Sequence, residues 1–312
     1  MMLGIEIETS SVRVAYIGKK YELTEWESFE LPEGAISSEG IVDADSVVKT
    51  LIKIPSKFNM KNPKAAFAVS GPAYTAVRII QVPFIDKDEI ILNLPMELDK
   101  YIPFNVKEVY HDFHIVETVK DKNLTELIVA VANKQIVNEY VNVFEKAGIT
   151  PQVVDIGSLA LYNIYELNYR ENDTNLIVNV GESVINFIIA RDNKPLYVRD
   201  SIITVKININ EAKEEEIRNF ADDVSAEIYR QIEYFKSFLT ERPVKKIYLT
   251  GYPVISPIFI SSIEERLDQE ILILNPFRKI KINKKIASKM HKYSHIAAIS
   301  IGLSLRGTEK IK

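Results

Sequence analysis

The sequence predicts a duplicated α/β fold with a cleft between its halves, on two observations. Residues 3–17 read as strand, tight polar turn and strand. Ile5 and Ile7 alternate with Glu6 and Glu8, the turn carries Thr9, Ser10 and Ser11, and alternation resumes at Val12 and Val14. Residues 176–190 repeat the layout around Gly181-Glu182-Ser183, and an apolar–polar–apolar triplet precedes each turn: Ile5-Glu6-Ile7 and Val178-Asn179-Val180. Such self-similarity marks repeated architecture. A turn lined with hydroxyls and free backbone N–H groups holds an anion such as phosphate. The plainer reading is an ordinary hairpin at a domain start.

Taken in order, 21–31 reads as a third strand, closed by Pro32 and Gly34. Asp43 or Asp45 caps a helix over 46–58, made irregular by Pro55. Residues 64–70 and 74–82 are strands ending at Gly71-Pro72 and Pro83. A module over 84–155 then reads helix (86–101, with Pro95 inside), strand (109–119), strand (127–131), helix (134–146), with Gly148 as its left-handed cap. A strand over 152–156 follows.

Beyond a helix over 158–169 and the second hairpin, 200–210 is β-like and 211–218 is a charged run, read as a solvated helix face. The clearest helix spans 222–239, with Val224, Ile228, Ile232, Phe235 and Leu239 on one stripe. A strand over 246–250, a helix over 258–267, a strand over 271–274 and an apolar helix over 293–303 complete the chain.

Composition narrows the function. The 312 residues suffice for two domains and a sizeable core. A net charge of -4 argues against a general nucleic-acid binder. No cysteine is present, which excludes disulfides, thiolate metal sites and cysteine nucleophiles. The His111/His114 and His291/His295 pairs read as surface or packing residues rather than ligands. The start carries no charged region followed by an apolar one, and no apolar run approaches the roughly 20 residues of a membrane span. The expectation is a cytoplasmic protein.

An ordered set of fragments resembles the PilM family of type IV pilus assembly proteins, FtsA-like members of the actin-like ATPase fold. The set begins with Leu3-Gly4-Ile5-Glu6, Ser10-Ser11-Val12 and Tyr101-Ile102-Pro103-Phe104. Ala147-Gly148-Ile149-Thr150-Pro151, Val154-Asp155 and Val198-Arg199-Asp200 follow. Glu227-Ile228-Tyr229-Arg230, Ile247-Tyr248-Leu249-Thr250-Gly251, Asn275-Pro276-Phe277 and Gly302-Leu303-Ser304-Leu305-Arg306 close it. The resemblance implies an actin-like (RNase H-like, duplicated) two-domain fold. Residues 1–83 and 156–175 would form the first half (subdomain IA) and 84–155 the FtsA-like insert (IC). Residues 176–312 would form the second half, with a reduced second small subdomain near 200–222 and the C-terminal helix packed back on the core.

The resemblance also implies ATP and Mg²⁺ between the halves and a membrane-protein partner, PilN, whose short cytoplasmic N-terminal peptide occupies a groove beside the insert. Carried onto this sequence, Thr9, Ser10, Ser11, Arg13, Gly181, Glu182, Ser183 and Gly251 would hold the nucleotide. Glu6 and Asn179 would approach the metal, and Val82, Pro83, Phe84, Ile102, Pro103 and Phe104 would border the peptide groove.

The sequence departs from the family at the nucleotide. Glu6 and Glu8 stand where the first turn has Asp and Gly, Asn179 where the second has Asp, Glu182 follows Gly181, and Gly251-Tyr252-Pro253 replaces a Gly-Gly pair, with Tyr252 placed to fill the adenine space. A carboxylate about 4 Å from a phosphate charge costs on the order of 4 kcal/mol at an effective dielectric near 20, about a thousandfold in affinity.

The expected function is a cytoplasmic scaffold at the inner membrane, with ATP binding lost or weak, hence a pseudo-ATPase with no cofactor. The alternatives are an ATP-dependent switch of the same complex and the actin-like component of a type II secretion-like system. The terminal segment 307–312 is too short for an amphipathic anchor, so attachment would come through the partner.

Overall fold

Each repeated hairpin seeds a sheet. The computed structural model describes residues 2–84, 86–203, 205, 207–238 and 242–307. β1 (Leu3–Ile7) and β2 (Ser11–Ile17) form the first hairpin, and β3 (Glu22–Glu30) extends its antiparallel ladder. The short pair β4 (Ile36–Ser37) and β5 (Gly40–Ile41) leads to α1 (Ala44–Leu51). Asp43, not Asp45, caps α1, accepting from the Ser46 amide at 3.1 Å. The helix expected over 46–58 breaks at Ile52, and α2 (Lys53–Lys57) holds Pro55, which has no N–H to donate to the preceding turn. β6 (Lys64–Val69) lies parallel to β1.

The insert is smaller than its expected span of 84–155. β7 (Thr75–Val82) pairs along its whole length with β9 (Leu124–Asn133), and β8 (Val109–Val119) completes an antiparallel β7-β9-β8 sheet over which α3 (Lys87–Leu98) packs. The insert therefore begins before residue 84. It also ends early. α4 (Lys134–Lys146) buries Val137, Tyr140 and Phe144 in the first-half core, Phe144 stacking on Phe67 at 4.6 Å, and β10 (Thr150–Ile156) runs parallel to β6. Apolar alternation identifies a strand but not the sheet it joins. The first sheet has the order β10-β6-β1-β2-β3-β16, its last strand coming from far down the chain.

α5 (Gly157–Asn168) crosses to the second half, where β11 (Asn175–Val180) and β12 (Val184–Arg191) form the second hairpin and β13 (Lys194–Ile202) a third antiparallel strand. Strand therefore covers 194–202 rather than 200–210, and among the described residues of 203–213 there is neither strand nor helix. The charged run at 211–218 and the helix expected from 222 are largely one helix, α6 (Glu214–Lys236), whose first-turn Glu214, Glu215 and Glu216 suit the positive end of its dipole. Leu239, expected on its stripe, lies outside the described residues.

β14 (Lys246–Gly251), α7 (Pro257–Glu264) and β15 (Glu270–Ile273) complete a second sheet ordered β13-β12-β11-β14-β15. β16 (Lys281–Ile282) returns to β3, and the terminal helix divides into α8 (Ala287–Tyr293) and α9 (Ala298–Leu305) around a short turn. Every residue of α9 is buried. It fits so closely that a Cβ on Gly302 would stand 2.0 Å from the Ala160 carbonyl oxygen of α5, and one on Gly4 2.0 Å from that of Ser300. Around α5 and α9 a shared core joins Trp26 and Ala15 of the first half to Ile177 and Ile188 of the second. Among the described residues no helix is long and apolar enough to cross a membrane.

Candidate functional site

The two hairpin turns face each other across the cleft and are built alike. Glu8 N–H donates to the Ser11 carbonyl at 2.8 Å, and Gly181 N–H to the Val184 carbonyl at 3.0 Å. Glu6 opposes Arg13 across the first ladder, and Asn179 opposes Asn186 across the second. The first pair stands 3.5 Å apart as an ion pair; in the second, Asn179 Nδ2 donates to Asn186 Oδ1 at 3.0 Å. Thr9 and Glu182, 173 residues apart, are equivalent positions of the two turns, and they touch.

The first turn closes on the Glu182 carboxylate. Oε2 accepts from Thr9 Oγ1 at 3.0 Å and the Ser10 amide at 2.7 Å; Oε1 accepts from Ser11 Oγ at 3.2 Å and Arg13 Nη2 at 2.8 Å. In return the Glu182 amide donates to Glu8 Oε2 at 3.4 Å. A Cβ on Gly181 would lie 2.8 Å from both Glu8 Oε1 and the Val184 carbonyl oxygen, so it is the backbone contact that holds this position to glycine.

Electrostatics follow from the crowding. Burial raises Glu6 above the ordinary carboxylate range, to about 7; the attraction of Arg13 opposes that shift and the repulsion of Glu182 adds to it. Burial and then the repulsion of Glu182 raise Glu8 further. Arg13, among Glu6, Glu8 and Glu182, is raised against the effect of its burial. Glu6 Oε2 and Arg13 Nε are buried without a hydrogen-bond partner. Below them Asn186 Nδ2 donates to Asp200 Oδ1 at 2.9 Å, and burial pushes Asp200 up to about 6.

Gly251, expected to hold nucleotide, instead abuts the second hairpin: its φ is +108°, and a Cβ there would meet the Val180 carbonyl oxygen at 2.1 Å. Tyr252 stands on the wall of a ≈ 410 Å³ cavity shared with Thr9, Glu182 and Phe220, held by Asn210 Nδ2 at 2.5 Å. Ser183 accepts from the Ile203 amide through its backbone and borders a small cavity beside Glu6 and Glu8.

Thr9, Ser10, Ser11, Arg13, Gly181 and Glu182 are thus brought together, with Ser183 at their side and Gly251 farther along the cleft. Their mutual use was not read. Glu182 acts as an acceptor, and Asn186 and Asp200 escaped notice although Asn186 is the cross-strand partner of Asn179. The donors that would grip a phosphate are already engaged, and Asn179 presents its amide to Asn186. Among the described residues no group of three or more His, Asp or Glu is disposed to hold a metal. Glu182 takes up the donors that the resemblance assigns to a phosphate.

A second feature lies between β8, an edge of the insert sheet, and β10, an edge of the first sheet. A groove of ≈ 800 Å³ there is lined by Tyr110, Phe113, Val154, Leu159, Tyr162 and Arg306, among others. Tyr162 Oη and Asn163 Nδ2, both on this lining, are buried without partners. The residues expected at a groove lie elsewhere. Val82 and Ile102 are buried in the insert's own core with Phe84 and Phe104 against them, and Pro83 and Pro103 are exposed. Apolar residues flanking two prolines serve to close α3 onto its sheet.

One family model and three solved structures bear on this geometry. The model of the family described as type IV pilus assembly protein PilM matches residues 4–205 and 204–308. A solved PilM-PilN type IV pilus biogenesis complex contains a chain similar over 99% of this chain and 98% of its own, at 20% identity and a TM-score of 0.84. The ethanolamine utilization protein EutJ from Carboxydothermus hydrogenoformans matches over 98% and 90% at 10% identity, TM-score 0.52. A Bacteroides thetaiotaomicron protein of unknown function with an actin-like ATPase fold matches over 93% and 95% at 10% identity, TM-score 0.50. The fold is actin-like, and with a family match running nearly end to end, the chain belongs to the PilM family of type IV pilus assembly proteins.

Proposed function

We propose that this chain is an actin-like adaptor at the cytoplasmic face of a type IV pilus inner-membrane complex. It holds an extended cytoplasmic N-terminal segment of a PilN-like partner in the groove between β8 and β10. The observation that carries this reading is the pair of unpartnered buried groups, Tyr162 Oη and Asn163 Nδ2, on the lining of an apolar groove flanked by two strand edges. Buried polar atoms without partners are uncommon in native structures, and an extended backbone supplies both donors and acceptors. Strand edges bind such segments through main-chain hydrogen bonds, with pockets selecting alternate side chains. The similar structure is a PilM-PilN complex, which supports the choice of partner. Attachment to the membrane then comes through that partner.

ATP binding is lost or weak in this reading, because Glu8 and Glu182 fill the space and use the donors that a phosphate would require. Calorimetric titration with a synthetic peptide of the partner's cytoplasmic N-terminus tests the proposal. Saturable binding is expected in the wild type and loss of it in Val154→Asp, with melting temperature retained. Binding that survives Val154→Asp but is lost in Phe84→Ala would move the groove to the other side of the insert. Mg-ATP is expected to give no saturable heat at micromolar concentrations, and such heat would favour the switch.

A further inference from the structure

We propose that Glu182 is a built-in anion. Its carboxylate occupies the donor cluster of the first turn in the manner of an oxyanion ligand and latches the two halves across the cleft without nucleotide. The inference deepens the adaptor reading and rests on it.

Four donors of three kinds converge on this one carboxylate: a backbone amide, two hydroxyls and a guanidinium, two on each oxygen. That is the donor set by which a turn holds a phosphate, and charge-assisted bonds of this kind are the strong ones. The bonds do not join neighbours in sequence, since Ser10 and Glu182 are 172 residues apart. They are sheltered as well. The side chain of Arg13 is 5% exposed and that of Glu182 17%, unlike an ordinary surface ion pair. Glu8 reciprocates by accepting from the Glu182 amide, so each turn supplies an acceptor to the other.

The consequence is competition. A tethered carboxylate is present at high effective concentration, and any phosphate entering from the ≈ 410 Å³ cavity must displace it. In an actin-like protein that binds nucleotide between its halves, closure depends on the ligand. Here closure is supplied by a carboxylate of the chain itself, and the adaptor keeps one shape whatever the nucleotide supply.

Chemical rescue tests the latch. The full chain and its Glu182→Ala variant are melted in rising inorganic phosphate or acetate against chloride at matched ionic strength. Glu182→Ala is expected to melt lower by about 5 °C and to recover saturably in phosphate or acetate, with no such recovery in Glu182→Gln. The wild type should respond to these anions as it does to chloride. A variant that melts like the wild type, or that falls without anion-specific recovery, overturns the proposal.

Should Glu182→Ala not fold, amide hydrogen exchange on the wild type decides. Protection of the Ser10 and Glu182 amides without ligand supports the latch, and exchange at solvent rates overturns it. The adaptor reading fails separately, on absence of peptide binding to the wild type.

Discussion

Arg306, at the end of α9, places its Nε 3.2 Å from Oδ2 of Asp155 on β10. The last helix therefore braces the strand that walls the groove. Burial raises Asp155, and Arg306 opposes that shift. Arg306→Ala strands a carboxylate that is only 7% exposed. Because the guanidinium is itself partly exposed, the expected loss is on the order of 1–3 kcal/mol. Denaturant unfolding measures it, and peptide affinity should fall as β10 loosens.

The contact between Gly302 and Ala160 makes a sharper case. A methyl group there meets backbone, which has no rotamer by which to yield. Gly302→Ala is expected to cost about 3 kcal/mol or more, through displacement of α9 from α5. Thermal melting would show it, and unchanged stability would mean that the helices do not approach so closely.

The cleft acids give stability a dependence on pH. Glu8 is pushed up to about 8 from 4.5, so the unfolded chain ionises first and stability falls as pH rises through that interval. His295, pushed down to about 4 from 6.5 by burial and then by Arg13, acts oppositely below 6.5. The window free of this opposition is pH 6.5–8, where melting temperature should decline with pH. Arg13, Glu6 and Glu182 face Glu8, and Tyr74 and Tyr140 lie within its field. Glu8→Gln should flatten the decline while keeping an acceptor for the Glu182 amide.

Trp26 is the one tryptophan of the sequence. Its Nε1 donates to Ser300 Oγ on α9 at 3.2 Å, and its ring stacks on Tyr293 at 5.4 Å. Ser300→Ala leaves a buried indole N–H unpaired, at an expected cost of about 1–2 kcal/mol. Since Trp26 reports the docking of the C-terminal helices, its fluorescence transition should coincide with loss of secondary structure in the wild type.

The hairpins were legible because alternation and small polar turns are local signals, and their echo exposed the duplication. The sheet to which β7 and β10 belong was not, because a strand's partners are chosen by tertiary packing. The start of β13 was legible in principle. Asp192 and Asn193 both take positive φ, the two-residue turn that such residues favour between antiparallel strands. At the cleft, Glu8 and Glu182 looked like two unrelated obstacles to phosphate. The signal was their pairing: an acid in each of two equivalent turns, beside hydroxyls and an arginine. One sequence read linearly shows the charges but not that they exchange partners.

The dependence of β1 on α9 has a consequence for biosynthesis. Ser304 Oγ donates to the Met2 carbonyl at 3.0 Å and accepts from the Ile17 amide at 2.9 Å, so the first hairpin is completed by a residue 287 to 302 positions downstream. At about 5–20 residues per second, the nascent hairpin waits on the order of 15–60 s on the ribosome with one face bare. The first half therefore completes its packing only once α9 has been made, and a chain stopped before α9 leaves that face of β1 bare.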